Sequence, residues 1–350
     1  MLPDTSPPIP SPSLFGMTLK ELSDVAEKEG LPRYSARQIA NWLYQKGAGS
    51  IDEMTNLSKK VRQQLATRYS MGFSEPVKVS TSEDGTKKYL FLSGEKKYIE
   101  AAYIPEGDRA TLCVSSQVGC KMGCLFCMTG KQGFQGNLTP GEIVNQLRSI
   151  PECDQVTNIV YMGMGEPFDN LEHVLTSLEI LTAEWGFGMS PRRITVSTIG
   201  ILPAIQEFLE QSECHLAISL HSPFDEERKN LMPVENVYGI REVMSELKRF
   251  DFSGRRRVSF EYIMFEGVND TPRHVNGIVK LLHGLPCRMN LIRFHPIPGT
   301  PLKGSPDETI IRFRDALTAK GVFTTIRASR GLDIQAACGL LSTKELLKHQ

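Results

Sequence analysis

From about residue 106 to residue 342 the chain alternates between short runs of β-strand character and helical patterns. Six such runs follow one another at spacings of roughly 25–45 residues, and they cover residues 111–115, 158–162, 194–198, 216–220, 258–264 and 290–294. A strand, a crossing helix and a second parallel strand wind with one handedness, so successive units close into part of a barrel. The sequence therefore predicts an α/β fold built on a parallel (β/α)6 partial barrel of the TIM type.

Polar and glycine-rich segments lie at the ends of the predicted strands. The run GMGEP (residues 163–167) follows the second strand, and its glycines would let the backbone approach a ligand closely. Ser197 lies near the end of the third strand, and the fourth ends in Ser219, Leu220 and His221. In a parallel barrel these strand ends meet at one face, where ligands bind. We therefore expect one site here, although a glycine-rich strand end alone is most often a turn.

Three cysteines form a C-x3-C-x2-C array soon after the first predicted strand: Cys120, Cys124 and Cys127. Three thiolates at this spacing can hold three corners of a cubane iron–sulfur cluster and leave the fourth iron open to a ligand. Zinc normally takes two C-x2-C pairs or a mixture of cysteine and histidine, and no matching pair follows here. The array therefore favours a [4Fe–4S] cluster, with zinc or unligated thiols as alternatives. Its spacing is typical of radical S-adenosylmethionine (AdoMet) enzymes, in which the open iron binds AdoMet.

The remaining five cysteines belong to no motif of this kind. Cys338 lies in DIQAACGLL near the C-terminus, and an apolar-flanked cysteine is usually an inert core residue. Cys113, on the first predicted strand, could be a fourth cluster ligand, a buried thiol or a redox partner. Cys153, Cys214 and Cys287 have no companions, and we interpret them as structural. Eight cysteines in 350 residues are too few for a disulfide scaffold, which favours a reducing compartment.

The rest of the chain divides by composition. Residues 1–15 are proline-rich and are predicted to be extended or disordered, because proline lacks a backbone donor and disfavours helix. Residues 16–72 show short helical patterns, residues 73–105 are β-rich, residues 106–342 form the barrel, and residues 343–350 are a tail. We expect the helical segment to be an accessory domain that contacts RNA, or else a cap on the barrel.

Charge is balanced in total but not in distribution. Lysine plus arginine and aspartate plus glutamate are equal at 40 each, so the whole chain gives no sign of a polyanionic partner. Residues 33–68 nevertheless hold seven basic side chains against Asp52 and Glu53: Arg33, Arg37, Lys46, Lys59, Lys60, Arg62 and Arg68. A second basic run occupies residues 255–257. Either could contact phosphates, although charge runs are more often solvated surface.

Targeting signals are missing from the sequence pattern. There is no apolar stretch of about 18 residues, and the proline- and serine-rich N-terminus is unlike a signal peptide. We therefore expect a cytoplasmic protein with no membrane partner.

Seven motifs recur in the order found in one known family: RATLCVSSQVGCKMGCLFC, GFQGNLT, MGMGEP, SPRRITVSTIG, AISLHSP, EGVND and DIQAACG. They span roughly residues 18–345 and closely resemble the RlmN/Cfr family of radical AdoMet RNA methyltransferases. The resemblance implies methylation of an adenine ring, at C2 for RlmN and at C8 for Cfr. The ending STIGILP is closer to Cfr, whereas SSQVGC, GFQGNL, PIPGTPL and FTTIRASRG resemble RlmN. We expect C2 methylation, with Cfr-type C8 methylation as the alternative.

The resemblance also implies roles for single residues. By motif, Cys338 is methylated and later carries the carbon, Cys113 resolves the protein–RNA adduct through a disulfide with Cys338, and Glu100 accepts the ring proton. Two AdoMet molecules serve each turnover, one for Cys338 and one that is cleaved on the cluster. The AdoMet-binding positions of the family match Gly165, Glu166, Ser197, Ser219, Leu220, His221 and His295, the last of which replaces the family's usual asparagine.

RNA is the substrate that the resemblance implies. RlmN-type enzymes act on an adenosine of 23S rRNA near the peptidyl transferase centre and on the tRNA adenosine next to the anticodon. Such bases must be unstacked to reach a barrel mouth, and the basic N-terminal segment would hold the phosphate backbone. We expect both RNAs and a flavodoxin-like electron donor as partners, and a monomer. The competing hypotheses are a radical AdoMet enzyme of another reaction type and a non-catalytic iron–sulfur protein.

Overall fold

The computed structural model describes residues 11–94 and 96–343 of the chain. Residues 1–10 of the predicted extended N-terminus and residues 344–350 of the predicted tail lie outside this part. Within it, the N–H groups of Leu14 and Phe15 donate to the carbonyls of Ser70 and Met71, each at 3.0 Å. The described start of the chain therefore runs extended beside the end of the helical segment.

Twelve strands are formed by the described residues: β1 (Lys78–Thr81), β2 (Lys87–Ser93), β3 (Lys97–Glu106), β4 (Arg109–Cys113), β5 (Gln117–Val118), β6 (Gly136–Asn137), β7 (Asn158–Tyr161), β8 (Ile194–Thr198), β9 (His215–Ser219), β10 (Val258–Met264), β11 (Cys287–Arg293) and β12 (Thr324–Ile326). Ten of them make one sheet in the order β1-β2-β3-β4-β7-β8-β9-β10-β11-β12, and β5 pairs with β6. From β4 through β12 the neighbours in the large sheet are parallel. The predicted parallel barrel is confirmed, and each of its predicted strands has a counterpart.

Strand β12 adds a seventh parallel strand, one more than the pattern predicts. It pairs with β11 over only three positions, Met289 with Thr324, Asn290 with Thr325 and Leu291 with Ile326. A run of three residues is too short to show the alternation that identifies a strand in sequence.

Strands β1 to β3 continue the sheet on the other side of β4 as an antiparallel meander. The β-rich segment before the barrel is therefore part of the same sheet. In the β3–β4 pair Ala102 lies opposite Cys113. Because side chains alternate between the two faces of a strand, Glu100 shares the face of Ala102. This register brings Glu100 into the neighbourhood of Cys113.

The described residues also form eleven α-helices: α1 (Leu19–Lys28), α2 (Ser35–Ala40), α3 (Lys59–Arg68), α4 (Met128–Gln132), α5 (Pro140–Arg148), α6 (Leu171–Thr182), α7 (Leu202–Gln211), α8 (Asp225–Leu231), α9 (Ile240–Leu247), α10 (Pro272–Leu282) and α11 (Asp307–Ala319). Helix α5 begins as its sequence predicts. The Thr139 hydroxyl accepts from the Glu142 N–H at 3.2 Å, and the Glu142 carboxylate accepts from the Thr139 N–H at 2.9 Å. This reciprocal capping satisfies two donors of the first turn. No helix within the described ranges combines the length and apolar character needed to cross a bilayer.

Helices α1 to α3 form the N-terminal module (residues 16–72), which packs on the outside of the barrel. Tyr44 lies at its centre, with ring-centroid distances of 5.4 Å to Phe15 and 5.8 Å to both Trp185 and Phe187. Apolar residues of the module and of the barrel helices belong to one continuous buried core. Module and barrel therefore fold as one packed unit.

Candidate active site at the C-terminal ends of the parallel strands

The interior of the barrel holds two adjoining cavities. The smaller one, of about 150 Å³, lies at the C-terminal ends of the strands. The larger one, of about 550 Å³, extends from the same level to the N-terminal ends. Six residues line both: Met162, Glu261, Ile292, Arg327, Cys338 and Leu341. Cys338 therefore lies at the junction of the two cavities.

The cysteine array occupies the loop between β5 and α4, and all three of its cysteines line the smaller cavity. The Leu125 N–H donates to the Leu231 carbonyl at 3.0 Å, and the Cys127 N–H donates to the Cys124 carbonyl at 3.2 Å. Gly123 has a φ of +67°, a conformation that residues with a Cβ rarely adopt. The loop is thus fixed in a path that turns Cys120, Cys124 and Cys127 toward one space.

Two of the array thiols, those of Cys120 and Cys124, have raised pKa values. Burial raises the pKa of Cys120 to about 12 and that of Cys124 well above its usual range, and neighbouring array cysteines raise both further. A metal centre that binds thiolates removes this penalty. Among the described residues no three side chains of Cys, His, Asp or Glu converge as a single metal ion would require. The three array cysteines line one cavity, and thiolates are the ligands that iron–sulfur clusters take.

Neighbouring parts of the chain leave no room for a side chain at either glycine of the GMGEP run. A Cβ on Gly165 would lie 2.5 Å from the Gln117 Cβ, and one on Gly163 would lie 2.7 Å from the Ser115 Oγ. Gly165 also has a φ of +97°. The sequence suggested that these glycines let the backbone approach a ligand closely. In the structure they let it approach the segment after β4, and both glycines also line the smaller cavity.

Glu166 is a buried carboxyl that joins two strand ends. It follows β7, and its carboxylate accepts from the Ile199 N–H after β8 and from the Phe168 N–H, each at 3.0 Å. Burial raises the pKa of Glu166 to about 7, although the Thr198 hydroxyl and the two N–H donors oppose this shift. A ligand ammonium group in the smaller cavity would favour its ionised form.

Three more predicted residues line the smaller cavity: Ser197, Ser219 and His221. His221 has a φ of +55°, and its Nδ1 accepts from the Ile263 N–H at 3.0 Å. Burial lowers the pKa of His221 to about 3, with Arg228 adding to the effect, so this imidazole is neutral. The Leu220 side chain is fully buried and does not line either cavity. Only the backbone of Leu220 can therefore contribute to the site.

Arg228 is a functional residue that the sequence did not reveal. Its side chain is 0% exposed, and it pairs with the carboxylate of Glu235. The same guanidinium donates to the carbonyls of Ile199 at 2.7 Å, Ser219 at 3.0 Å and Leu220 at 3.1 Å. It thereby fixes the ends of β8 and β9 around the smaller cavity. In sequence it stands in the charged run DEERK, which resembles a solvated helix face.

Cys113 and Cys338 line the larger cavity together with Arg327. Both thiols are free. Burial raises the pKa of Cys113 to about 12, the nearby Cys338 raises it further, and Arg327 opposes the shift. The Arg327 Nη1 also lies 3.4 Å from the Glu261 Oε2. The structure thus brings the two cysteines together beside a cation, which the sequence pattern alone did not locate.

The segment that carries Cys338 (residues 331–343) is fastened on both sides. At its start the Gly331 N–H donates to the Asp84 carboxylate at 2.9 Å, which ties it to the β1–β2 turn. Beyond Cys338 the Gly339 carbonyl accepts from the Met128 N–H of α4 at 2.9 Å. Cys338 is therefore held between the edge of the sheet and the cysteine loop.

Glu100 is 4% exposed and lines neither cavity. Its carboxylate lies 3.0 Å from the Lys88 Nζ and accepts from the Ser342 N–H at 3.0 Å. Burial raises the pKa of Glu100, and Lys88 opposes the shift. The predicted base is thus bonded to the segment that carries Cys338.

His295 and the isolated cysteines lie outside the smaller cavity. His295 lines the larger cavity, and its Nε2 is 2.8 Å from the Ser329 Oγ. Burial and Arg293 lower the pKa of His295. The remaining cysteines, which we interpreted as structural, line neither cavity: Cys153, Cys214 and Cys287.

Two protein-family models match the chain. The Radical SAM superfamily matches residues 114–276, which include the cysteine array and strands β7 to β10. The Ribosomal RNA large subunit methyltransferase N-terminal domain matches residues 13–71, which correspond to the N-terminal module. The two matches thus cover the module and most of the barrel.

Relatives are similar over nearly the whole chain. A probable dual-specificity RNA methyltransferase RlmN from Bacteroides fragilis (strain YCH46) is 58% identical over 335 residues, which are 96% of this chain and 97% of that protein. The dual-specificity RNA methyltransferase RlmN of Syntrophus aciditrophicus (strain SB) is 43% identical over 334 residues, covering 94% and 96%. The crystal structure of a radical SAM methyltransferase from Sphaerobacter thermophilus superposes with a TM-score of 0.89 at 42% identity, covering 94% and 99%.

Proposed function

The chain belongs to the RlmN family of radical SAM RNA methyltransferases, and we propose that it methylates C2 of adenine in 23S rRNA and in tRNA. One observation carries this proposal. Cys338 and Cys113 share a cavity that adjoins the cavity lined by Cys120, Cys124 and Cys127. A carbon-carrying thiol, a resolving thiol and a radical source are thus within one barrel.

Membership of the radical SAM superfamily implies AdoMet and a [4Fe–4S] cluster as cofactors, and the three array cysteines would hold the cluster. When bound, the cluster supplies the electron that cleaves AdoMet to a 5′-deoxyadenosyl radical. The smaller cavity, of about 150 Å³, would hold the part of AdoMet nearest the array cysteines, and the rest would extend into the adjoining larger cavity, which His295 lines. In the smaller cavity the Glu166 carboxylate would accept hydrogen bonds from the ammonium or ribose groups of AdoMet, and the hydroxyls of Ser197 and Ser219 would add donors.

Cys338 would act first. Its side chain reaches both cavities, so one sulfur can take a methyl group from AdoMet and present it to a base in the larger cavity. The reacting species is a thiolate, and Arg327 stabilises it electrostatically. Two AdoMet molecules would be needed for each turnover, because Cys338 would take its methyl group from one and would lose a hydrogen atom of that S-methyl group to the radical that cleavage of the other supplies.

Glu100 would act next. The carbon radical on Cys338 would add to C2 of the adenine. The adduct would then give one electron back to the cluster, which AdoMet cleavage leaves oxidised, and would lose the C2 proton. A buried carboxylate with a raised pKa is a stronger base than an exposed one, which suits Glu100 to accept that proton. Because Glu100 accepts from the Ser342 N–H at 3.0 Å, that contact must open before Glu100 can reach the base.

Cys113 would release the product. Its thiolate attacks the Cys338 sulfur, an S–S bond forms as the S–C bond breaks, and the departing carbon takes a proton to become the methyl group. Cys113 ends strand β4, so its position is set by the sheet rather than by a loop. A fixed resolving thiol beside a carbon-carrying loop suits this exchange.

Substrate and position follow from the motifs. The RlmN-like runs support C2 rather than C8. The relatives are named dual-specificity RNA methyltransferases, which supports two kinds of RNA substrate, and we assign these as 23S rRNA and tRNA. A flavodoxin-like protein would supply electrons, and the enzyme would work as a monomer in the cytoplasm.

Nucleoside mass spectrometry of RNA treated with the cluster-loaded enzyme tests the function. We expect 2-methyladenosine, whereas 8-methyladenosine would overturn the assigned position. Cys338→Ala should still cleave AdoMet but give no methylated RNA, and Cys113→Ala should accumulate a protein–RNA adduct. Cys287→Ala is the matched control, because Cys287 lines neither cavity. Methylation by Cys338→Ala would exclude the S-methylcysteine route.

A further inference from the structure

Four arginines surround the N-terminal end of the barrel, opposite the cysteine array. Arg109 begins β4 and Arg288 is the second residue of β11, while Arg192 and Arg257 lie just before β8 and β10. All four line the larger cavity where it opens, and all four are exposed. We call them the arginine ring.

The arginine ring carries little compensating negative charge. Two carboxylates line the same cavity, Glu106 and Glu261, and Glu261 is paired with Arg327. Within the described part of the chain, no ring arginine forms an ion pair. Glu106 lies opposite Arg109 in the β3–β4 pair, so the ring keeps a net positive charge around the opening.

The three arginines of the basic run at residues 255–257 have different positions. Arg256 donates to the carbonyls of Leu209 and Ser212 and thus supports the fold. Arg255 is exposed and does not line the cavity, whereas Arg257 does. The sequence pattern alone could not separate these three roles.

The pKa of a histidine at the opening reflects the positive charge of the arginine ring. His215 is the first residue of β9 and lines the same cavity. Burial lowers the pKa of His215 to about 4, and Arg257, Arg288 and Arg192 add to the effect. Three ring arginines thus lower the pKa of the same histidine. Their combined positive potential makes the opening attractive to anions.

The channel behind the ring leads to the reactive cysteines. Its wall is mixed. Aliphatic side chains such as Val160 and Leu216 line it together with five polar residues, where a filled barrel would carry mostly aliphatic ones: Thr111, Thr195, Ser259, Asn290 and Thr325. Arg109 and Cys113 are four residues apart on β4, which corresponds to about 13 Å. A volume of about 550 Å³ is within the range of small-ligand sites. A single unstacked nucleotide can therefore be accommodated between the ring and Cys338.

An exposed aromatic side chain accompanies the ring. Phe323, just before β12, is 55% exposed and lines the opening. The guanidinium of Arg288 lies 5.2 Å from its ring centroid. Exposed aromatic rings among basic side chains are typical of surfaces on which unpaired bases stack.

We propose that the arginine ring is the port through which the target nucleotide enters the barrel, with the ring arginines on the phosphates around it and Phe323 against a neighbouring base. This inference rests on the proposed function, since it assumes an RNA substrate. An acidic protein reductant is the less suitable occupant, because the array cysteines line the smaller cavity at the opposite end of the strands.

RNA binding at several salt concentrations tests the port. The probe is a fluorescent RNA hairpin with adenosines in its loop, titrated with the cluster-loaded enzyme under anaerobic conditions. The variant is Arg192→Gln/Arg257→Gln/Arg288→Gln. The control is Arg193→Gln/Arg255→Gln, which removes neighbouring exposed arginines that do not line the cavity.

Counterion release sets the expected size of the effect. Each lost phosphate contact should lower the salt slope by about 0.7, which corresponds to roughly fivefold in affinity at 0.1 M salt. The triple variant should therefore bind roughly 100-fold more weakly with a slope reduced by about 2, while the control stays within about twofold of wild type. Phe323→Ala should weaken binding by about tenfold with an unchanged slope. Methylation of Cys338, read by intact mass, should be unaffected in all variants.

Three results would overturn the port. The first is wild-type affinity and slope in the triple variant. The second is a loss of binding in Lys59→Gln/Lys60→Gln of the N-terminal module but not in the triple variant. The third is a turnover defect that dithionite rescues, which would assign the ring to a protein reductant. If the wild-type enzyme methylates no RNA, the proposed function fails and the port with it. Wild-type turnover with unaffected ring variants overturns the port alone.

Discussion

Replacing Arg228 by methionine should loosen the AdoMet end of the barrel through one buried contact. The substitution keeps a long apolar side chain but removes the partner of Glu235, whose side chain is 4% exposed. It also removes the Arg228 donor from three carbonyls: Ile199, Ser219 and Leu220. Because Ser219 and Leu220 are both predicted AdoMet positions, stability and AdoMet affinity should fall together.

The size of the effect follows from the burial of the pair. Removing one partner of a buried ion pair costs about 3–5 kcal/mol, because the other charge is left without compensation. This is a large part of the roughly 5–15 kcal/mol that stabilises a folded domain. Glu235→Gln should cost a similar amount, although the amide oxygen can still accept from the Ile240 N–H. The double variant buries no charge, so its loss should be smaller than the sum of the two by at least about 2 kcal/mol.

Urea unfolding of the cofactor-free protein measures these losses of stability. The variants should keep the wild-type m-value, which shows that the same unfolding transition is compared. Calorimetric titration of AdoMet into the cluster-loaded variants measures the second effect. Additive losses in the double variant would refute the reasoning, since they would mean that Arg228 and Glu235 do not stabilise each other. Lower stability with unchanged AdoMet affinity would show that Arg228 supports the fold but does not position the site.

Two further changes test the strand end after β7. Burial raises the pKa of Glu166 to about 7 from 4.5, so its contribution to stability is complete below about pH 4.5 and is lost as the pH rises to about 7. The wild-type protein should lose about 3 kcal/mol of stability across this range, as measured by urea midpoints at each pH, and Glu166→Gln should not. Equal pH profiles of stability for the two proteins would contradict this. Gly165→Ala should destabilise more than Gly267→Ala, because both residues have positive φ but only Gly165 would bring a Cβ against Gln117, at 2.5 Å. Equal urea midpoints for the two alanine variants would refute the steric argument.

The barrel could be predicted because its strands are buried and regularly spaced. Each run of β-branched and apolar residues, such as 194–198 and 258–264, leaves a pattern that survives without tertiary information. The cysteine array is similarly visible, since its three ligands are local. β12 was missed because a three-residue strand leaves no alternation to detect.

The encounter of Cys113 with Cys338 could not be derived from the residues themselves. The two are far apart in sequence, and only the closure of the barrel and the fastening of residues 331–343 bring them into one cavity. Arg228 and Arg327 were missed for a related reason. A buried arginine looks like a solvated one in sequence, because its partners are backbone carbonyls and distant carboxylates that leave no motif.

Burial can also set the order in which the two cysteines react. Cys338 is exposed and sits where both cavities meet, whereas Cys113 is buried and has a pKa raised to about 12. At neutral pH Cys113 is therefore a thiol, and a thiol neither competes for the methyl group nor attacks the adduct early. Arg327 lies near both sulfurs and favours whichever one is ionised. In the proposed reaction, a Cys338 sulfur that carries the carbon has no thiolate charge, so the guanidinium would be left to stabilise the Cys113 thiolate. The proposed resolving step would then become favourable only after the carbon has been loaded.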